Sequence, residues 1–252
     1  MVNAASIKAA LVNALPDPVV FRISPWLYRR QEPELAKLRT FVPAGRTVVD
    51  IGGWLGPWTR ELARWSKQVH TFEPQPNLAA YLRRVVPSNV QVHECALSNA
   101  PGVLPLYLPS TRHGSNALAS LNPKGVDVSN FVHHEVEVLR LDSFDLGPVA
   151  FMKIDVEGHE AEVIDGATGV IEQGQPRLML EAEQRHLDHP VTELFETLAG
   201  LGYEGWYLKQ GRWQPLNTFR VERDQLAFGE EVLHADYINN FLFAPLNQRF
   251  VP

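Results

Sequence analysis

Short apolar runs rich in β-branched residues recur along the chain, each closed by an acid or a turn, with amphipathic stretches between them. Thr47–Ile51, Gln68–Glu73, Val90–Leu97, Val149–Asp155 and Arg177–Glu183 are too short for helices. Their apolar residues fall on both faces, which predicts strands covered on both sides. Trp58, Leu62 and Trp65 recur at helical spacing and predict a helix over about 57–66. Leu78, Tyr81, Leu82 and Val85 mark a second helix with Asn77 as its cap. Ala161, Val163 and Ile164 are expected beneath a third, and Val191 to Leu201 forms a fourth, ended by Gly202. This strand–helix alternation implies a doubly wound, mostly parallel sheet with right-handed crossovers, in the Rossmann manner.

The remaining pattern is less regular. Val103–Leu108 is expected as an antiparallel addition, Glu135–Leu141 as a further strand, and strands near 203–208, 212–216 and 241–245 finish the chain. Residues 109–130 are polar and turn-rich, with His113-Gly114-Ser115-Asn116 at the tip, and read as a lid or mobile loop. Residues 1–45 precede the first core strand and read as an N-terminal helical cap on an α/β core of residues 46–252. Ser6–Leu15 is expected to be helical and ended by Pro16 and Pro18, with a second helix over Glu32–Phe41. Phe21, Trp26 and Tyr28 of the cap either fill the core or line a substrate mouth. No linker or repeat divides the chain, so one domain is expected over residues 1–252.

Composition narrows the classes. Hydrophobic residues make up 45% and charged residues 21%, ordinary for a globular protein. The formal charge of −6 argues against broad nucleic-acid or anionic-membrane binding. No run reaches the length of a membrane span, and the start lacks the pattern of a signal peptide. Cys95 is the single cysteine, in an apolar strand pattern, and reads as a buried small residue. A cytoplasmic protein without nucleic-acid partners or stable membrane insertion is the expectation, and a homo-oligomer is compatible with it.

The chemistry gathers at strand ends. Asp50-Ile51-Gly52-Gly53-Trp54-Leu55-Gly56-Pro57 joins a strand to a helix start through glycines, with a proline suited to the first helical position. Such a turn favours a ligand with a negatively charged group. Glu73 closes the next strand, near the offset of an acid that binds ribose hydroxyls. The fingerprint G-x-G-x-x-G is absent because position 54 is Trp, so a nucleoside without a pyrophosphate fits better. Lys153-Ile154-Asp155-Val156-Glu157-Gly158-His159-Glu160 forms a second charged cluster at a strand end. Lys153, Asp155 and His159 are its candidate catalytic residues, with Asp155 or His159, expected one helical turn further on, as proton acceptor and Glu160 a helix-start acid. Asp155, Glu181 and Glu183 are a candidate ligand set for a hard divalent cation.

These motifs together resemble the FkbM family of S-adenosylmethionine-dependent methyltransferases. The resemblance rests on Val49-Asp50-Ile51-Gly52 with Gly56 and Thr59, Phe72-Glu73-Pro74, Ala96-Leu97-Ser98-Asn99, Leu141-Asp142-Ser143-Phe144 and, most specifically, Lys153–Glu160. It covers roughly residues 47–183, with a family-like closing strand at Asn240-Phe241-Leu242-Phe243. What it implies is a class I methyltransferase fold, with a seven-stranded sheet containing one antiparallel strand. It also implies O-methylation of a sugar, glycan or natural-product hydroxyl. By the same resemblance Asp50, Gly52, Gly53, Trp54, Gly56, Thr59, Glu73, Pro74, Ala96, Leu97 and Asp155 surround S-adenosylmethionine. A metal such as Mg2+ on the carboxylates named above is the alternative to a protein base as activator of the hydroxyl. Gly53-Trp54 departs from the family's Ala-Asn at these positions. The competing readings are a nicotinamide-dependent oxidoreductase and a non-catalytic module that binds a nucleoside or glycan.

Overall fold

Strands β1 (Thr47–Ile51), β2 (Gln68–Phe72), β3 (Val90–His93), β7 (Val149–Ile154) and β8 (Arg177–Glu181) form the parallel part of an eight-stranded sheet. The computed structural model describes residues 14–109, 120–121, 131–229, 231–232, 234–248, 250 and 252. The first eight positions of the helix expected at Ser6–Leu15, and most of the 109–130 loop, lie outside the described residues. With β9 (Tyr203–Lys209), β10 (Arg212–Pro215) and β11 (Asn240–Pro245), the sheet order is β10-β9-β11-β8-β7-β1-β2-β3. β11 runs antiparallel to both β8 and β9. An eighth strand, β10, folds back on β9 through Gln210 and Gly211. Both of these turn residues have positive φ, the geometry that matches hairpin twist. Two strands therefore run against the rest, and the expected seven-stranded sheet with one antiparallel strand is extended at this edge.

The run Val90–Leu97 is two strands. β3 ends at His93, and after Glu94 and Cys95 the chain turns into β4 (Ala96–Leu97). β4 joins β6 (Phe131–Leu139) and β5 (Gly102–Pro109) in a separate three-stranded sheet of order β4-β6-β5. Ala96 there packs with Leu106, Val136 and Val138, an apolar cover the large sheet does not supply. The antiparallel addition at 103–108 therefore pairs with β6 and stands outside the main sheet.

Helix α1 (Asp17–Tyr28) begins at the prolines expected to end a helix. Pro16 and Pro18 sit at the cap and first turn, where no intrahelical N–H is needed. Pro25 inside α1 leaves the Phe21 carbonyl without its usual donor, and the Ser24 hydroxyl donates to it at 3.0 Å. The Glu32–Phe41 stretch is a 3₁₀ turn, Pro33–Lys37, followed by α2 (Leu38–Phe41). Phe21 is buried against Leu82 of α4 (Pro76–Val85), Tyr28 is buried, and Trp26 is 68% exposed. Gln75, not Asn77, precedes α4. The helices α3 (Pro57–Ala63), α5 (Glu160–Asp165), α6 (Thr168–Gly174) and α7 (Thr192–Gly200) complete the expected alternation, and a short α8 (Val221–Asp224) follows β10. In α5, Val163 and Ile164 are buried and Ala161 faces out.

Candidate functional site

All four central parallel strands end at one edge of the sheet, and β11, running the other way, begins there with Asn240 paired to Glu181. A cavity of about 270 Å³ opens at this edge. Ile51, Gly52, Trp54, Phe72, Glu73 and Pro74 line one side of it, with Cys95, Ala96, Leu97 and Leu106 beside them. Asp155, Glu157, Glu181, Glu183 and Asn240 line another, and Tyr28, Glu32 and Glu34 of the cap close over it. The buried Cys95 is thus wall material, and burial pushes its thiol up to about 12.

The glycine turn is held tightly. Gly52 has φ +87, and a Cβ there would meet the Asp155 carbonyl oxygen at 2.0 Å. The turn thereby brings the ends of β1 and β7 together, with the Asp155 N–H donating to the Ile51 carbonyl at 3.1 Å. Trp54 also has positive φ, 45°, which is strained for a bulky residue. Its N–H donates to Glu73 Oε2 at 2.8 Å, and its ring meets Tyr28 edge-on at 4.5 Å. Glu73 Oε1 accepts the Gln75 N–H at 2.9 Å, so two backbone donors fix this buried carboxylate at the cavity wall. Burial raises Glu73 to about 7, against the two backbone hydrogen bonds.

Other sequence-predicted residues lie beneath this surface. Asp50 is buried and accepts the Thr59 hydroxyl at 2.5 Å, which ties β1 to α3. Burial lifts Asp50 to about 7, with the Thr59 bond and Lys153 opposing. Asp50, Gly53, Gly56 and Thr59 do not line the cavity; they shape the turn that does. His159 does not line it either. Five residues separate Ile154 from Glu160 without helical structure, and Glu157 and Gly158 both take positive φ. His159 is therefore not one helical turn beyond Asp155: its Nε2 is 2.9 Å from the Ser98 hydroxyl, and burial lowers its pKa. Glu160 is buried in the first turn of α5 and accepts the Gly158 N–H at 3.0 Å.

Two groups of acids face the cavity. Glu32, Asp155 and Glu181 bring carboxylate oxygens within 4.8 Å of one another. Lys153, only 1% exposed, lies beneath them, with Nζ 3.4 Å from Glu181, 3.7 Å from Asp155 and 3.2 Å from the Asn240 side-chain oxygen. Burial alone would lower Lys153, yet the carboxylates around it hold its pKa above the usual lysine range. Burial raises Asp155 to about 6 and Glu181 in the same direction, with Lys153 opposing both. Glu183 belongs to a different group. Its oxygens accept Arg185 at 2.8 and 2.9 Å and the Tyr237 hydroxyl, while Glu157 lies 2.8 Å from His186 Nε2. The expected set Asp155, Glu181 and Glu183 is thus split, and Glu32 of the cap stands where Glu183 was expected.

The sheet order, with β11 antiparallel beside β8 and a cavity over the ends of the parallel strands, is that of the expected class I methyltransferase fold. The chain belongs to the FkbM family of S-adenosylmethionine-dependent methyltransferases, since the methyltransferase FkbM domain matches residues 49–204. No curated protein matches the sequence. Among solved structures, the methyltransferase FkbM from Methylobacillus flagellatus is similar over 95% of this chain, at 15% identity and TM-score 0.48. The chain spans 59% of that protein's length. A putative methyltransferase from Streptococcus mutans in complex with SAH is similar over 86% of this chain and 97% of its own, at 11% identity and TM-score 0.48. No helix among the described residues is long and apolar enough to cross a membrane.

Proposed function

We propose that this chain transfers the methyl group of S-adenosylmethionine to a hydroxyl of a sugar, glycan or natural-product acceptor. The observation that carries the reading is Glu73: a buried carboxylate, fixed by the Trp54 and Gln75 N–H groups, facing a cavity with an apolar wall. A carboxylate oxygen holding one backbone hydrogen bond still has capacity for another, as a pair of ribose hydroxyls requires. Ile51, Phe72, Ala96 and Leu97 offer the apolar surface an adenine ring needs. The donor set therefore fits the cofactor, which supplies an already activated methyl group when bound.

What remains for the protein is to hold the acceptor and take its proton. Asp155 lines the cavity, and Lys153 beside it favours its ionised, proton-accepting form against the effect of burial. Lys153 is buried behind it and positions it; the lysine does not line the cavity. His159, bonded to Ser98 behind the site, has no part in this proton transfer.

Calorimetric titration with the demethylated cofactor tests the reading. Glu73→Gln, with its fold checked by circular dichroism, should bind at least about tenfold more weakly, since hydrogen bonds to a charged group contribute about 1.5–3 kcal/mol. Unchanged affinity would move the cofactor away from Glu73.

A further inference from the structure

Trp54 stands in a backbone conformation that its own side chain opposes. Its φ of 45° lies in the left-handed region, which glycine adopts freely and a bulky residue does not. Gly52 and Gly56 are left-handed too, so the turn reverses its handedness at three places and carries an indole at one of them. Strain of this kind gathers at ligand sites, and an observed outlier points to a function there. The Trp54 N–H donates to Glu73 Oε2 at 2.8 Å, but that bond uses the backbone alone. A glycine at position 54 would supply it without strain. The indole has to be accounted for separately.

The ring stands at the cavity. Trp54 and Tyr28 both line it, with ring centroids 4.5 Å apart and planes at 72°. Tyr28 is buried and Trp54 half-buried, so the pair forms a largely dry aromatic corner between the glycine turn and the cap. A ring face attracts cations, indole most strongly, and the attraction grows as water is excluded. The other rings at the cavity are engaged elsewhere. Phe72 packs against His93 and Phe144, and the Tyr237 hydroxyl donates to Glu183.

We propose that the Trp54 indole, braced by Tyr28, receives the sulfonium of S-adenosylmethionine and so distinguishes the cofactor from its demethylated product. This rests on the methyl-transfer reading. The sulfonium is a cation and the product's thioether is neutral, so a ring face favours the first only. The sulfur is one carbon from the ribose that Glu73 would hold, and Trp54 is the aromatic residue bonded to Glu73. The indole therefore acts on the difference between the two ligands, whereas Glu73 acts on what they share.

Calorimetric titration of the full chain with S-adenosylmethionine and, separately, with the demethylated cofactor tests it. Trp54→Leu keeps the N–H to Glu73 and removes the ring. The ratio of the two affinities should shift by about tenfold toward the product, within the range of a desolvated cation–π contact. Trp54→Phe, which keeps a smaller ring, should fall between this variant and wild type. Trp54→Gly, whose backbone favours positive φ, should lose the preference as fully as Trp54→Leu and decides the matter if the leucine variant does not fold. A purely structural role for Trp54 would weaken both ligands alike, and that result overturns the proposal. An unchanged ratio also overturns it and leaves the attraction of the sulfonium to the acids of the opposite wall. In both cases the methyl-transfer reading stands. If the folded wild type binds neither ligand, that reading fails and this proposal with it.

Discussion

The two acid groups share one cavity and are handled in opposite ways. Glu157 and Glu183 are closed off: Arg185 forks onto Glu183, Tyr237 donates to it, and His186 lies against Glu157. Glu32, Asp155 and Glu181 are left with a single lysine among three carboxylates. Charge that is paired and hydrogen-bonded within the protein has little left to offer a ligand. Charge that is gathered and under-neutralised is unfavourable to the fold and serves when something else enters the site. The first group therefore reads as architecture holding the segment after β8, and the second as the working wall.

The sharpest way to break this contrast is to remove each group's cation. Lys153→Met leaves three carboxylates around an apolar stem and should cost about 3–5 kcal/mol of folding stability, as removal of one partner from a buried ion pair does. Arg185→Ala removes a partly exposed guanidinium, and Glu183 keeps Tyr237 and the nearby His186. Its cost should be about 1–2 kcal/mol. Urea denaturation of both variants decides it. Equal losses would mean that the two groups are not differently balanced.

The contrast can be sharpened by activity. Asp155→Asn keeps the shape and removes the basicity, so turnover should fall by at least about 10²-fold, with cofactor affinity little changed. Glu160→Gln, five residues on but buried away from the cavity, should stay within a few-fold of wild type. Single-turnover transfer of labelled methyl groups measures both. Full activity in Asp155→Asn removes this residue from the mechanism.

Much of the frame was legible because β1, β2, β7 and β8 are covered on both faces and therefore read as short, mainly apolar runs. Glu73 was legible for a related reason: an acid that closes such a run falls at the ligand edge. What escaped was whatever depends on contacts distant in sequence. Glu32 lies 123 positions before Asp155 and in a segment with no motif, so nothing local marks it as part of that wall. Asn240 was legible as the start of the closing strand, but its contacts with Lys153 and Glu181 depend on pairing across the sheet and were not. Other misses had a local cause. Pro16 and Pro18 are as good at opening a helix as at ending one, and α1 takes the first option. His159 was misplaced because the i, i+4 rule applies only within a helix, and residues 155–159 are a loop with two positive-φ positions.

The smallest expected effect concerns acids outside both groups. Asp50, Glu73 and Glu160 are buried, and burial lifts each to about 7. In the unfolded chain the same carboxyls titrate near 4. As pH falls from 8 to 6.5 the native state takes up protons while the unfolded chain stays ionised, so stability rises over that window. Read the other way, stability present at low pH is lost as pH rises through about 7. Below 6.5 the trend is opposed, because burial holds His70, His93 and His159 below the ordinary histidine value and the unfolded chain then binds the extra protons. The cofactor-free protein should therefore melt a few degrees higher at pH 6.5 than at pH 8, since about 1 kcal/mol moves Tm by roughly 2–4 °C in a chain of this size. Glu160→Gln, which mimics the protonated acid, should flatten part of that slope. A melting temperature that is constant or rising from pH 6.5 to pH 8 would mean these acids are ionised in the fold. Charge would then not be concentrated around Lys153 alone.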